Sequence, residues 1–512
     1  MTGNWTDLLF IAIPLAYALS AAIAPSLTPR TGWKLVQAGG VFVIAAAAAL
    51  PFMADPVSGL FANHAMQQII LGLVAFIGFI VARFSTQYLA GEASEPRFQR
   101  WLQLTLACVA IVVTTNHFAI LIGAWVGISL SLHQRLMFYP DRKRAVLAAH
   151  KKFLFARLAE TCLIIAGVLL YSQHGTLLIS EIMQAYRGEV SLSVSEQIAA
   201  LLIASAAMVK CAQFPMHGWL IQVVEAPTPV SALLHAGVIN LGGFLLLLMA
   251  PLMLQADLAN WLLLIVAGTT CVAAALITMT RVSVKVLLAW STVAQMGLML
   301  VECALGQYGL ALLHLVAHSC YKAYSFLAAG SEVENYLRKQ LAPPKMPSAT
   351  TVPALFLIAV ALVAALVASG WLGTDASLWL LLGLFPIVIL SERGSLLHKG
   401  SLIASAMFAL SVVLIYLIQK TLFTAVAPVG SAPDLAQTLW CLLLVTSLLF
   451  VYWTLRQYGK SRLGRTLYRN LYAGFYLDEW ATRATLALWP ANLPERAARR
   501  KINAFVDQEN LS

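Results

Sequence analysis

The sequence predicts an all-α polytopic membrane protein of about 13–15 transmembrane helices, at least one of them broken. Three observations predict it. The 512 residues are 60% hydrophobic and only 11% charged, with a mean hydropathy of +0.81, far outside the range of soluble domains. Apolar runs of about 20 residues, each long enough to cross a bilayer as a helix, recur from end to end. The basic residues between those runs fall in alternate loops.

The expected spans lie near 5–24, 33–53, 65–82, 102–115, 117–133, 153–171, 197–213, 229–250, 257–279, 285–303, 308–330, 352–371, 377–391, 401–419 and 435–454. The first reads as a retained span. It carries Asp7 and lacks a basic leader, although Ala22-Ile23-Ala24 has the shape of a cleavage motif. The spans at 102–115 and 117–133 are short. The run that ends at Lys210 meets Pro215 five residues on, so its helix should kink or stop there. Thr228 followed by Pro229 predicts a fresh start, with the threonine hydroxyl as N-cap. Pro343, Pro344 and Pro347 mark 331–350 as a connector between two helix groups. One membrane domain, 1–455, is thus followed by a basic amphipathic tail, 456–512, where Arg, Lys, Tyr and Trp mix with acids.

The net charge of +11 invites a nucleic-acid reading, but its distribution argues against one. Arg30 and Lys34 share one loop. Arg83, Arg97 and Arg100 share the next, and Arg135, Arg142, Lys143, Arg144, Lys151 and Lys152 a third. Arg338, Lys339 and Lys345 follow, then Arg393 and Lys399, then the tail from Arg456. The intervening loops hold little beyond Arg187 and Lys420. Cytoplasmic loops carry this excess, so the N-terminus is expected outside, on the periplasmic side, and the tail in the cytoplasm. The cysteines, Cys108, Cys162, Cys211, Cys271, Cys303, Cys320 and Cys441, lie in or beside apolar runs without CxxC spacing. They read as small core residues rather than ligands of zinc, haem or an iron–sulfur cluster. No dinucleotide or P-loop glycine pattern stands out. No cofactor is expected in this chain.

Ionisable residues inside spans are the candidates for function, because a charge at the centre of a membrane helix costs roughly 2.5–3.5 kcal/mol. Lys210 closes LLIASAAMVK beside the expected break; it either snorkels to the membrane surface or titrates in the interior. His235 lies about 9 Å along the helix expected to start at Thr228-Pro229, as a core imidazole or a proton carrier. Glu160 sits three residues after Arg157, so it either pairs locally or faces Lys210 on the next span. His314, His318 and Lys322 recur every four residues and stack along one helix face, with Tyr321 and Tyr324 adding hydroxyls; this spacing suits a proton relay. Lys285, four residues after Arg281, is a helix-end pair or the start of a polar face continued by Ser291, Thr292 and Gln295. No carboxylate or thiolate completes a metal set with these histidines.

CAQFPMHGWL, EAPTPVSALLHAG, SVKVLLAWSTVAQMG and ALLHLVAHSCYKAYSFLAAGS, in that order, resemble the signatures of the antiporter-like membrane subunits. That family includes the proton-pumping subunits of respiratory complex I and the large subunits of multisubunit sodium/proton antiporters. The likeness is strong over 200–335 and traceable over 100–200, and GFYLDEW at 474–480 resembles a segment of the complex I subunit called L. It implies an antiporter-like fold, with Lys210 as the lysine of a broken seventh helix and Glu160 as the acid before it. It also implies that His235, Lys285, His314, His318 and Lys322 line the ion path. Val286 stands where arginine is usual.

Two departures narrow the resemblance. Family pumps carry a glutamate in the fifth span, where this chain has Trp125 and no acid from Phe118 to Leu132. They also keep a charge in a later broken helix, where 352–391 offers only Asp375 before Ser391. These losses and the short tail most resemble the membrane subunits of DabA–DabB inorganic-carbon systems. That implies a subunit passing protons, or sodium, to energise a peripheral DabA-like zinc protein that hydrates CO2, in a hetero-complex that could dimerise. The alternatives are a pumping subunit of a complex I-like or hydrogenase complex and a sodium/proton antiporter subunit. The missing cofactor motifs count against a quinone-reducing enzyme.

Overall fold

The structure, a computed structural model, describes residues 3–139, 141–188, 190–331 and 433–489, with a few positions between 334 and 430. Helices α1 (Gly3–Ile23), α2 (Pro29–Ala49), α3 (Ala65–Tyr88) and α4 (Glu95–Thr114) form an antiparallel N-terminal group. Then come α5 (Phe118–Leu136), α6 (Lys143–His174), the short α7 (Ile179–Gln184) and α8 (Val194–Lys210). The chain continues through α9 (Gly218–Gln222), α10 (Thr228–Ala236), α11 (Leu241–Leu248) and α12 (Ala250–Leu254). Three long helices follow: α13 (Asp257–Thr278), α14 (Val284–Ala304) and α15 (Tyr308–Leu327). The described residues end with α16 (Leu435–Gln457), α17 (Arg462–Tyr472) and α18 (Glu479–Leu488). The expected spans at 352–371, 377–391 and 401–419, most of the 331–350 connector and Asp375 lie outside the described residues.

Among the described residues, nine helices are long and apolar enough to cross a membrane. The helices α4 and α15, of 20 residues each, and α8, of 17, pack into the same bundle. The span from Thr228 to Leu248 is 94% buried, against 33% for α1 and 28% for α16. The α10–α11 segment is therefore the axis of the bundle, and apolar side chains of α1 and α16 face outward as lipid-facing helices do.

Alternation gives the bundle a basic end and an opposite end. At the opposite end, bridges Phe61–Thr115 and His117–Leu178 tie together the loops after α2, α4 and α6. Local chemistry sets several boundaries: Ser193 and Glu196 form a capping box on α8, Asp434 and Gln437 one on α16, and Gly175 ends α6 with φ 68°.

Three sequence expectations are corrected. The two short spans are full helices, α4 and α5. Arg135, Lys151 and Lys152, read as loop residues, are buried inside α5 and α6, which are longer than their apolar cores. Thr228 is the first residue of α10 rather than its cap; its hydroxyl donates to Tyr88 at 3.4 Å instead.

Candidate ion-translocation site

The eighth helix breaks where the sequence predicts. α8 stops at Lys210, Ala212 adopts φ 53°, and the chain unwinds to Gly218. Interrupted helices are tolerated in membranes when the freed backbone groups find partners. Here Gln213 Nε2 donates to the carbonyls of Cys211 at 2.7 Å and Val293 at 3.4 Å, and the Phe214 amide donates to Thr270 Oγ1 at 3.1 Å.

Lys210 is buried, with Nζ 4.6 Å from the centre of the Trp125 ring. The residue standing in place of a fifth-span acid thus meets the lysine through its π face rather than an ion pair. Glu160 bonds to Arg157 at 2.7 Å and forms no direct ion pair with Lys210. Both are nonetheless on one cluster. Lys152 Nζ donates to the Ser129 carbonyl at 2.6 Å and to Ser129 Oγ at 3.0 Å, and Arg157 reaches the same hydroxyl at 3.2 Å. A cavity of about 20 Å³ lies between Trp125, Ser129, Lys152, Ala159 and Lys210, room for about one water.

A second cluster lies across α10, α14 and α15. Lys322, with no exposed surface, donates to Ser291 Oγ at 2.5 Å and to the Leu288 carbonyl at 3.0 Å. Thr292 Oγ1 donates to the same carbonyl at 2.9 Å and lies 3.0 Å from His235 Nδ1. A threonine hydroxyl has one proton, so its oxygen accepts from His235 Nδ1–H, which leaves Nε2 as an acceptor. His235 also stacks on Phe326, with ring centres 4.4 Å apart. Thus Lys322 and His235 are joined through one carbonyl and one hydroxyl.

The face continues away from the basic end. His318 is buried, and its ring centre lies 6.1 Å from that of His314. His314 Nδ1 is 3.0 Å from the Glu302 carboxylate, and Nε2 is 2.9 Å from Gln295 Oε1. The structure therefore groups His235, His314, His318 and Lys322 on one line. It does not bring Lys285 onto it: Lys285 is half-buried at the start of α14 and makes no ion pair among the described residues. No direct bond links His235 to Lys210 either.

Glu302 and Lys152 escaped sequence reasoning. Glu302 is 5% exposed at the far end of α14; the lone acid in the run LMLVECAL was its signal. Lys152 lies within α6 although its sequence neighbours look like a loop, because the helix begins before its apolar run does.

At the basic end the tail folds back onto α6. Lys151 Nζ donates to the Asp478 carboxylate at 2.7 Å and to Thr482 Oγ1 at 2.8 Å, and Gln222 Nε2 donates to the same carboxylate at 3.1 Å. Burial raises the Asp478 carboxyl above the usual aspartate range, while Lys151 pulls it down. A Cβ on Gly218 would collide with that carboxylate, so only glycine fits where α9 begins. Trp489 stacks on His150 at 5.0 Å. Among the described residues, no three His, Cys, Asp or Glu side chains are placed to hold a metal.

Residues 115–396 match the family described as NADH:quinone oxidoreductase/Mrp antiporter, TM. The chain is 49% identical over 448 residues to the probable inorganic carbon transporter subunit DabB of Hydrogenovibrio crunogenus, covering 87% of this chain and 86% of the relative. It is 33% identical over 527 residues to the probable inorganic carbon transporter subunit DabB2 of Halothiobacillus neapolitanus, covering 95% of each. Among solved structures, the Mrp complex from Dietzia sp. DQ12-45-1b superposes with a TM-score of 0.65 at 21% identity, over 98% of this chain and 62% of that one.

Proposed function

The chain belongs to the NADH:quinone oxidoreductase/Mrp antiporter transmembrane family and to its DabB branch, and on that premise we propose that it conducts protons, or sodium, to energise inorganic-carbon accumulation. One observation carries the reading. Glu302, His314, His318, Lys322 and His235 run from the opposite end to the bundle axis as successive titratable groups. Packing alone gives no reason to align them in an apolar bundle.

We assign hydration of CO2 to a partner, a peripheral DabA-like protein carrying zinc, because the relatives are named as subunits of an inorganic carbon transporter. That partner docks on the basic end, which faces the cytoplasm of a bacterial inner-membrane protein. The positive-inside rule supports this orientation. Reporter fusions after Ala427 and after Lys460 should lie on opposite sides of the membrane, the second in the cytoplasm.

The deciding experiment is reconstitution of the purified two-subunit complex in liposomes carrying an imposed proton or sodium gradient. Gradient-dependent bicarbonate accumulation by the complex, and none by this chain alone, is the expected outcome. Accumulation by this chain alone, or without any gradient, refutes the division of labour.

A further inference from the structure

We infer that the groove between α13, α16 and α17 is a binding site for one anionic phospholipid of the leaflet at the basic end. The groove encloses about 1150 Å³. Its lining is divided by chemistry. Ala275 and Met279 from the end of α13, with Leu448, Leu449 and Leu455 from α16, form an apolar wall along the final turns of two membrane helices. Arg462, Arg465 and Arg469 line the other side, with the hydroxyls of Thr280, Thr466 and Tyr468, while Arg456 sits over the Tyr452 ring; among the described residues no acid lines the groove.

The arginines are presented by helix geometry. Positions 462, 465 and 469 are spaced i, i+3, i+7, so they share one face of α17. The other face is fixed to the protein: Leu471 is buried, and its carbonyl accepts from Arg281 at 3.1 Å. The helix therefore cannot roll its arginines away from the groove without breaking that anchor.

Charge complementarity selects the ligand. Guanidinium groups match phosphate oxygens in a fork geometry. A soluble phosphate would meet the arginines of α17 but leave the apolar wall unfilled. A phospholipid fits both halves, phosphodiester among the arginines and acyl chain along α16, at the depth where a span ends and headgroups begin.

The test uses the whole detergent-purified complex, delipidated and titrated with phosphatidylglycerol or phosphatidylcholine under native mass spectrometry. Phosphatidylglycerol should be retained at least tenfold better than phosphatidylcholine. Arg465→Gln with Arg469→Gln should bring the two lipids to parity, while Arg465→Lys with Arg469→Lys keeps part of the preference. Gel filtration and melting of each variant complex establish that it is folded. Equal retention of both lipids by the unaltered complex overturns the inference, as does undiminished preference in the folded Gln variant. Displacement of the lipid by millimolar inorganic phosphate alone would assign a free-anion site instead. No lipid in the groove, with crosslinks from position 469 to the partner, would assign it to a protein interface.

Discussion

Lys151 and Asp478 are 327 positions apart in sequence, and their side chains meet at 2.7 Å. The lysine is buried in α6 and the aspartate immediately precedes the last described helix, so this ion pair straps the tail to the membrane bundle. The next residue of α6, Lys152, bonds to Ser129 beside the Lys210 cavity. The strap and the Lys210 cluster therefore share one turn of helix.

Removing the carboxylate charge should loosen that strap. Hydrogen bonds to charged groups contribute about 1.5–3 kcal/mol, and Asp478 is partly open to solvent, which favours the lower part of that range. Asp478→Asn should lower the melting temperature of the purified complex and make the chain after Tyr472 more sensitive to protease. Gly218→Ala should do the same from the other side, because its Cβ displaces the carboxylate. Unchanged melting and proteolysis in both variants would show that the tail is held by other contacts.

The line from Glu302 to His235 predicts which substitutions interrupt transport. Glu302→Gln and His314→Gln each remove one end of a single contact, so each should lower transport about tenfold, or about 1.4 kcal/mol. The double variant should be little worse than either single one, since the two groups act as a pair. Lys322→Met should be more severe, because Ser291 and the Leu288 carbonyl lose their shared donor. Tyr324, exposed on the same helix, is the control, and Tyr324→Phe should leave transport within about twofold. Equal effects of Lys322→Met and Tyr324→Phe on gradient-driven uptake would remove the relay.

Arg157 decides between the two readings of Glu160. The structure pairs Glu160 locally with Arg157, yet both lie on the cluster that includes Lys152 and Lys210. If Glu160 serves ion movement, Glu160→Ala and Lys210→Ala should each abolish transport in a complex that still assembles, and Arg157→Ala should only reduce it. If Glu160 serves only its neighbour, Arg157→Ala should match Glu160→Ala. Wild-type uptake by assembled Lys210→Ala would mark the lysine as topogenic.

The parts of this site that were legible in sequence are those set by local rules. Pro215 announced the break after Lys210, and fourfold spacing announced the shared face of His314, His318 and Lys322. What lay hidden depends on pairing between distant segments. Asp478 is an ordinary tail acid until Gly218 leaves room for it, and Glu302 gains meaning only when α15 sets His314 beside it. Lys152 is hidden for a different reason. Hydropathy locates the apolar middle of α6, whereas the helix runs from the exposed Lys143 and has Lys151 and Lys152 buried about two turns further on.

The source of energy is the last prediction. Titratable groups aligned from one end of an apolar bundle to its axis make physical sense if a proton, or a cation that displaces one, crosses there. Uncoupling cells while ATP is kept high should then halt bicarbonate accumulation. If uptake persists until the sodium gradient is also collapsed, sodium is the coupling ion. Because His318 lies within a single line of groups between His314 and Lys322, His318→Ala should lower uptake at least as far as Glu302→Gln does. Substitution of the exposed Ala317 by Val should not. Uptake that survives loss of both gradients would exclude ion-driven transport, whatever the fate of the individual variants.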